Sequence, residues 1–325
     1  MVLIPWNIYL FYGDPKLLSD CYENMRRYVD HITEISPTHL TTWGLGDWVP
    51  VTDKPPVEFT STCYYYADVV IMTKTARLFG KTADAARYEV LAVAIQQAFN
   101  AKYLNPQTGL YGKGTQTEMS MPLYWHLVPE AATAQVAANL AKQVATDNYH
   151  LNVGLLGQKA ILNALSENSY ADVAYRIASQ ETYPSWGWWI KNGATTLYEN
   201  WNIQAKHDIS LNHIMFGEIG AWFYKGLGGI HPDPAHPGFQ NVLLTPHFVP
   251  NLAHFEASHE APQGTIRSAW TRTGRAVQYT VTVPPNATAT LHLPVVEGLQ
   301  VYREGRAVKE KVVRLVAGSY VFEWR

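Results

Sequence analysis

The stretch "GATTLYENW", residues 193–201, sets Glu199 between Tyr198 and Trp201, just after the tryptophan-rich run "YPSWGWW" at 183–189. In a chain where only 16% of residues are charged, a carboxylate among aromatic rings invites a chemical reading. Thr195 and Thr196 can hydrogen-bond locally while Tyr198 and Trp201 wall the site, so Glu199 can stay ionised yet shielded. The plainer reading is a surface glutamate at a loop end. Downstream, His213 of "SLNH" can donate or accept as a neutral imidazole, or serve as a satisfied core histidine. Glu118, in "TQTEM", and Glu218 lie on helical patterns and read as structural. No Asp, Glu and His cluster shows metal-ligand spacing, so neither a metal nor a cofactor is expected.

These residues must be positioned by helices over most of the chain. Asp14 precedes Pro15 as an expected N-cap, after which Leu17, Leu18, Cys21, Met25, Tyr28, Val29 and Ile32 recur at three- and four-residue spacing up to Pro37. Further helices are predicted from about 59 to 78, from Thr82 as N-cap, and near 116–127, 130–146, 154–166, 169–180 and 208–226. Short connections make them antiparallel pairs. At "GLGGIHPDPAHPGFQ" glycine and proline break any helix, and beyond it the period becomes two: "VQYTVTV", "TATLHLPV" and "YVFEW" read as strands. The expectation is a helical domain over 1–230 and a small antiparallel β-sandwich over 238–325.

Length and composition bound the function. The chain has 325 residues, enough for one large or two ordinary domains, and 47% of them are hydrophobic. Its formal net charge of −2 supplies no basic field for nucleic acid or an anionic membrane surface. Two cysteines make no disulfide framework and read as small buried hydrophobes. No apolar run approaches the ~20 residues of a membrane span, and "MVLIPWNIYLFYGD" lacks the basic start of a signal peptide, so a soluble protein of open compartment is expected. With 11 Trp and 20 Tyr, aromatic rings are abundant, which suits core walls and sugar-stacking surfaces alike.

Three segments in order, "NGATTLYENW", "SLNHIMFGEIGAWFYKGLGGI" and the helix-to-sandwich junction, together with "IPWNIYLFYGD" and "LGDWVP", resemble the C-terminal half of bacterial α-L-rhamnosidases of glycoside hydrolase family 78. The resemblance covers nearly the whole chain and implies an incomplete (α/α)6 barrel followed by an antiparallel β-sandwich. It also implies an inverting glycosidase acting on rhamnose-containing glycosides, with two carboxyl groups about 6.5–9.5 Å apart across the anomeric carbon. By resemblance Glu199 is the general base and His213 a ligand of sugar hydroxyls. Asp47 and Trp48 of "GLGDWVP" form a loop over the pocket, the indole against the rhamnose methyl and the carboxylate on its hydroxyls; the alternative is a turn aspartate and a buried anchor. Trp188 and Trp201 wall the same mouth, with Trp186 and Trp189 as further candidates.

The general acid of the family lies in an arginine-containing motif near "GWTGD", and nothing like it occurs in this chain. About nine helical segments are legible where a closed barrel has twelve. The expectation is therefore a fragment with doubtful activity alone, prone to self-association or to pairing with an N-terminal half. A non-catalytic carbohydrate-binding or vestigial protein is the competing reading, and a trehalase-like or glucoamylase-like barrel enzyme a third.

Overall fold

A computed structural model describes residues 1–52 and 54–325. It divides into two compact units: Met1–Leu3 with Asp20–Ile219, and Ile4–Ser19 with Gly220–Arg325.

The first unit is built of helical hairpins. Apart from Leu3, α1 (Leu3–Tyr12) belongs to the second unit, as do the first residues of α2 (Lys16–Glu34); the first unit holds the rest of α2, then α3 (Val57–Leu78) and α4 (Thr82–Tyr103). A short hairpin of β1 (Leu104–Asn105) and β2 (Leu110–Tyr111) leads into α5 (Gln116–Tyr124), α6 (Glu130–Thr146), α7 (Leu155–Glu167), α8 (Ala171–Ala178) and α9 (Trp186–Lys191). Two kinds of helix alternate. In α3, α5 and α7 residues are buried on most sides, as in a helix surrounded by protein. In α4 burial follows one stripe, Ala85, Tyr88, Leu91, Ile95 and Phe99, and in α6 another, Val136, Ala137, Leu140, Ala141 and Val144. Such helices cover a core on one side and meet solvent on the other. Accordingly α3 packs on α4, α5 on α6 and α7, and α7 on α8.

Local chemistry sets the helix ends. The Asp14 carboxylate accepts from the Lys16 N–H at 2.8 Å, opening α2. Thr115 and Glu118 form a reciprocal capping box at the start of α5, which gives Glu118 the structural role expected of it. Thr82 is the first helical residue of α4 rather than its cap, and Lys81 before it makes no side-chain cap.

The stretch 208–226 is not one helix. Residues 208–213 are drawn out of helical geometry by hydrogen bonds to the 196–199 segment. A 3-10 turn (Ile214–Phe216), α10 (Glu218–Trp222) and a π turn (Phe223–Leu227) then follow.

In the second unit β3 (Ile230–Pro232), β4 (Asn241–Leu244), β5 (His254–Ala261), β6 (Gly264–Thr273), β7 (Ala276–Val283), β8 (Thr288–His292), β9 (Val301–Arg303), β10 (Arg306–Ala307), β11 (Val312–Leu315) and β12 (Gly318–Trp324) form two sheets. The larger, in the order β10-β9-β12-β7-β6-β5, is antiparallel throughout; the smaller, β11-β8-β4-β3, is mixed because β4 runs parallel to β8. Burial of Val277, Tyr279, Val281 and Val283 in β7 against Gln278, Thr280 and Thr282 reproduces the expected alternation. The fold is mainly α with a β part. Among the described residues no helix is long and apolar enough to cross a membrane.

Candidate active site

Glu199 sits on an irregular segment with no helix or strand to hold it, so its position is set by side chains and by a facing segment. The anchor is Trp201, only 1% exposed. Its ring stacks on Trp189 at 4.6 Å between centroids and meets Phe216 at 4.2 Å and Trp186 at 5.4 Å. Every indole N–H in this knot is spent on a backbone carbonyl: Trp186 on Phe216, Trp189 on Trp201, and Trp201 on Val153, at 3.0–3.1 Å. A buried indole needs such a partner, so the three rings fix one another and with them the chain on either side of Glu199. Trp201 therefore holds the site from behind and offers no face to a ligand.

The facing segment is 210–213. The Glu199 N–H donates to the Ser210 carbonyl at 2.9 Å, and the Ser210 N–H returns a bond to Glu199 Oε2 at 3.2 Å. The His213 N–H donates to the Leu197 carbonyl at 2.8 Å, and the Thr196 hydroxyl donates to the Leu211 carbonyl. These bonds set Glu199 and His213 on two adjoining strands of chain. One Glu199 oxygen is tied down, while Oε1 has no protein donor among the described residues. His213 Nδ1 accepts from the Met215 N–H at 3.1 Å, which puts the imidazole proton on Nε2, pointing away from the backbone as a donor.

Asp47 is placed differently from the expected sugar contact. It is 0% exposed, and its carboxylate accepts four bonds: from Thr117 Oγ1 at 2.7 Å and the N–H groups of Gly154, Leu156 and Gly157 at 2.9, 2.7 and 3.2 Å. The adjacent Trp48 carbonyl takes the Leu155 N–H at 2.9 Å. Together they satisfy the orphan donors at the start of α7, with a negative charge at the positive end of its dipole. Burial pushes the Asp47 pKa up while those bonds work against the rise. The Trp48 ring itself is 37% exposed, with the Lys54 ammonium 5.4 Å from its centroid. Trp188 is half-buried, edge-on to Tyr183 at 6.2 Å, and its indole N–H has no partner among the described residues. Glu218 is held by Lys159 at 3.1 Å and by the Asn163 amide at 3.0 Å.

The structure thus brings Glu199 and His213 together, puts Trp201 and Asp47 in supporting positions, and leaves Trp48 and Trp188 with partly open rings. The roles of α9 and Phe216 in carrying the site went unread: "WGWWIK" is too short for a period, and the burial of its rings depends on residues far along the chain.

The chain thus consists of helical hairpins followed in sequence by a two-sheet β part, with a carboxylate and an imidazole set on an aromatic base in the first unit. Residues 1–227 match the bacterial alpha-L-rhamnosidase 6 hairpin glycosidase domain, and residues 229–307 the bacterial alpha-L-rhamnosidase C-terminal domain. The chain belongs to this bacterial α-L-rhamnosidase family. It is similar to the alpha-L-rhamnosidase of an Alteromonas species, 30% identical over 99% of this chain and 37% of that protein. The solved alpha-L-rhamnosidase from Dictyoglumus thermophilum superposes with a TM-score of 0.90 at 34% identity, over 99% of this chain and 39% of that one. The Streptomyces avermitilis alpha-L-rhamnosidase complexed with L-rhamnose gives 0.89 at 29% identity, over 99% and 32%. The chain spans about a third of the length of the relatives it matches.

Proposed function

We propose that this chain carries the base half of an inverting glycoside hydrolase site for terminal α-L-rhamnose. The observation that carries the reading is the pairing of 197–199 with 210–213, which sets Glu199, its Oε1 free of donors among the described residues, and the Nε2–H of His213 on adjoining segments. Glu199 Oε1 takes a proton from water as that water attacks the anomeric carbon opposite the departing oxygen, and His213 Nε2 donates to a sugar hydroxyl. The exposed parts of Trp48 and Trp188 supply apolar faces for the sugar ring and its methyl. Asp47 and Trp201 act as positioning residues.

Inversion also needs a carboxylic acid to protonate the leaving oxygen. Asp47 and Glu218, the carboxylates on neighbouring elements, are occupied by four donors and by a lysine and an amide. The reading therefore assigns the acid to neither, and a lone chain is expected to turn over slowly, short of the ~10²–10⁴-fold that general acid catalysis supplies. Pairing with a further polypeptide belongs to the same reading: Leu45, Ile190 and Ile214 are exposed at 79%, 70% and 86%. A strictly monomeric mass on size-exclusion would count against pairing.

The test is turnover of p-nitrophenyl α-L-rhamnoside by the chain and by Glu199→Gln, with rhamnose binding by calorimetry on both. Loss of whatever turnover exists in Glu199→Gln, with rhamnose binding retained, is the expected result. Equal turnover by the two proteins would remove Glu199 from the chemistry.

A further inference from the structure

A second chemical feature of the first unit involves neither Glu199 nor His213. A cavity of about 120 Å³ opens between α2, α3 and the 41–46 loop, lined among others by Tyr28, Trp43, Ser61, Tyr64 and Asp68. Asp68 comes from the middle of α3 and is only 7% exposed. No protein group among the described residues donates a hydrogen bond to its carboxylate.

Buried carboxylates ordinarily have donors, because an uncompensated charge away from water is costly. Its surroundings do not supply one. Tyr65, on the same helix, spends its hydroxyl on Thr33 Oγ1 at 2.8 Å. None of the cavity's lining residues is basic. The positive charge acting on Asp68 is the α-amino group of Met1; the other titratable groups on it are the phenols of Tyr28 from α2 and Tyr64 from α3. His31 stands behind Trp43, its ring 6.2 Å away and edge-on. Burial holds the Asp68 carboxyl up at about 7.

We infer that this cavity is a receptor for a guanidinium group, which pairs with the Asp68 carboxylate and lies against the aromatic faces of Trp43 and the surrounding tyrosines. Charge complementarity selects the occupant: a wall with one carboxylate and no base favours a cation over a neutral sugar. Shape narrows it further. The opening, about 120 Å³ and bordered by the rings of Tyr28, Trp43 and Tyr64, suits a small planar group that can lie against an aromatic face. A guanidinium is weakly hydrated, stacks on aromatic rings and meets a carboxylate with a two-pronged fork, whereas an ammonium is a strongly hydrated point charge. The group can come from an arginine side chain of a polypeptide or from a free small molecule. This inference stands apart from the glycosidase reading and uses neither Glu199 nor His213.

The experiment is calorimetric titration of the full chain with methylguanidinium, its neutral analogue methylurea, and N-acetylarginine methylamide, on wild type, Asp68→Asn and Trp43→Ala. At pH 8 methylguanidinium should bind wild type at least ten times more tightly than methylurea, and Asp68→Asn should lose at least tenfold. Trp43→Ala, at a ring 59% exposed in the folded protein, should fold normally and lose affinity several-fold. As pH falls below about 7 Asp68 takes up a proton, so binding to wild type should weaken while that to Asp68→Asn stays flat. N-acetylarginine methylamide binding well above methylguanidinium would assign the source to a polypeptide, and equal affinity to a small molecule. Equal binding by wild type and Asp68→Asn, equal affinity for methylurea, or displacement of methylguanidinium by rhamnose would overturn the inference.

Discussion

An ionised Asp68 that receives no hydrogen bond from the described residues is a standing cost to the fold, and replacing it tests the burial argument independently of any ligand. In the unfolded chain its carboxyl titrates near the ordinary 3.8, whereas burial raises it to about 7 in the folded protein. The sign follows directly. Below pH ~4 the group is neutral in both states and costs nothing; between about 4 and 7 the unfolded chain releases a proton that the folded one keeps; above 7 the penalty is constant. A gap of roughly three pKa units at 1.36 kcal/mol each gives a full penalty of about 4 kcal/mol. Asp68→Asn keeps the shape and removes the titration. Urea unfolding of the two proteins at pH 4, 6 and 8, followed by tryptophan fluorescence, should show the variant gaining on wild type as pH rises. By pH 8 the midpoints should separate by about 1 M for an m-value of roughly 3–4 kcal/mol/M. A gap that stays the same from pH 4 to pH 8 would mean that the Asp68 carboxylate is compensated in the folded state, and the argument for an unpartnered charge would fall.

Two further perturbations probe how the site is carried. Asp47→Asn replaces a carboxylate that accepts four bonds by a group with one acceptor and an NH₂ facing backbone N–H donors; a loss of about 2–4 kcal/mol is expected, read as a lower thermal midpoint, and an unchanged midpoint would refute the capping role. Gly154→Ala would set a Cβ 2.2 Å from the Trp48 carbonyl and 2.8 Å from Asp47 Oδ1. It should destabilise at least as much and shift the fluorescence of Trp48, and wild-type stability with an unchanged spectrum would contradict the close approach of loop and helix.

What the sequence disclosed follows the range of the interactions involved. The spans of α3 and α7, buried on most sides, are legible to within a few residues because Gly and Pro junctions bound their apolar runs, and those of α2 and α6 because a buried stripe recurring every three or four residues is written in local order. The strands β7, β8 and β12 were legible for the same reason at period two. The 208–226 stretch also carries apolar spacing, yet its first residues bond to 196–199 and Gly217 follows the 3-10 turn that His213 caps, so a long helix is not formed. Periodicity measures what a segment would do alone, and here a competing set of hydrogen bonds takes it over.

The candidate site divides along the same line. Glu199 stood out because a carboxylate among aromatic rings is locally odd, and the family resemblance gave it a chemistry. Asp47 looks like a turn residue in "GLGDWVP", but three of its four donors lie 107–110 positions away, at the head of α7. No window along the chain contains that interaction. Trp201 looks like a pocket wall in the sequence for want of the same information, since whether an indole faces a ligand or a core is decided by its ring and N–H partners, here Trp189, Phe216 and the Val153 carbonyl. Asp68 is the sharper instance: inside "YYYADVV" it is a polar interruption of a helix, and only the 41–46 loop and α2 folding over it turn that interruption into a buried charge. The sequence pattern therefore locates the elements and the locally unusual residues, while what separates the carboxylates, four donors on Asp47, one on Glu199 and none from the described residues on Asp68, is a property of the tertiary contacts.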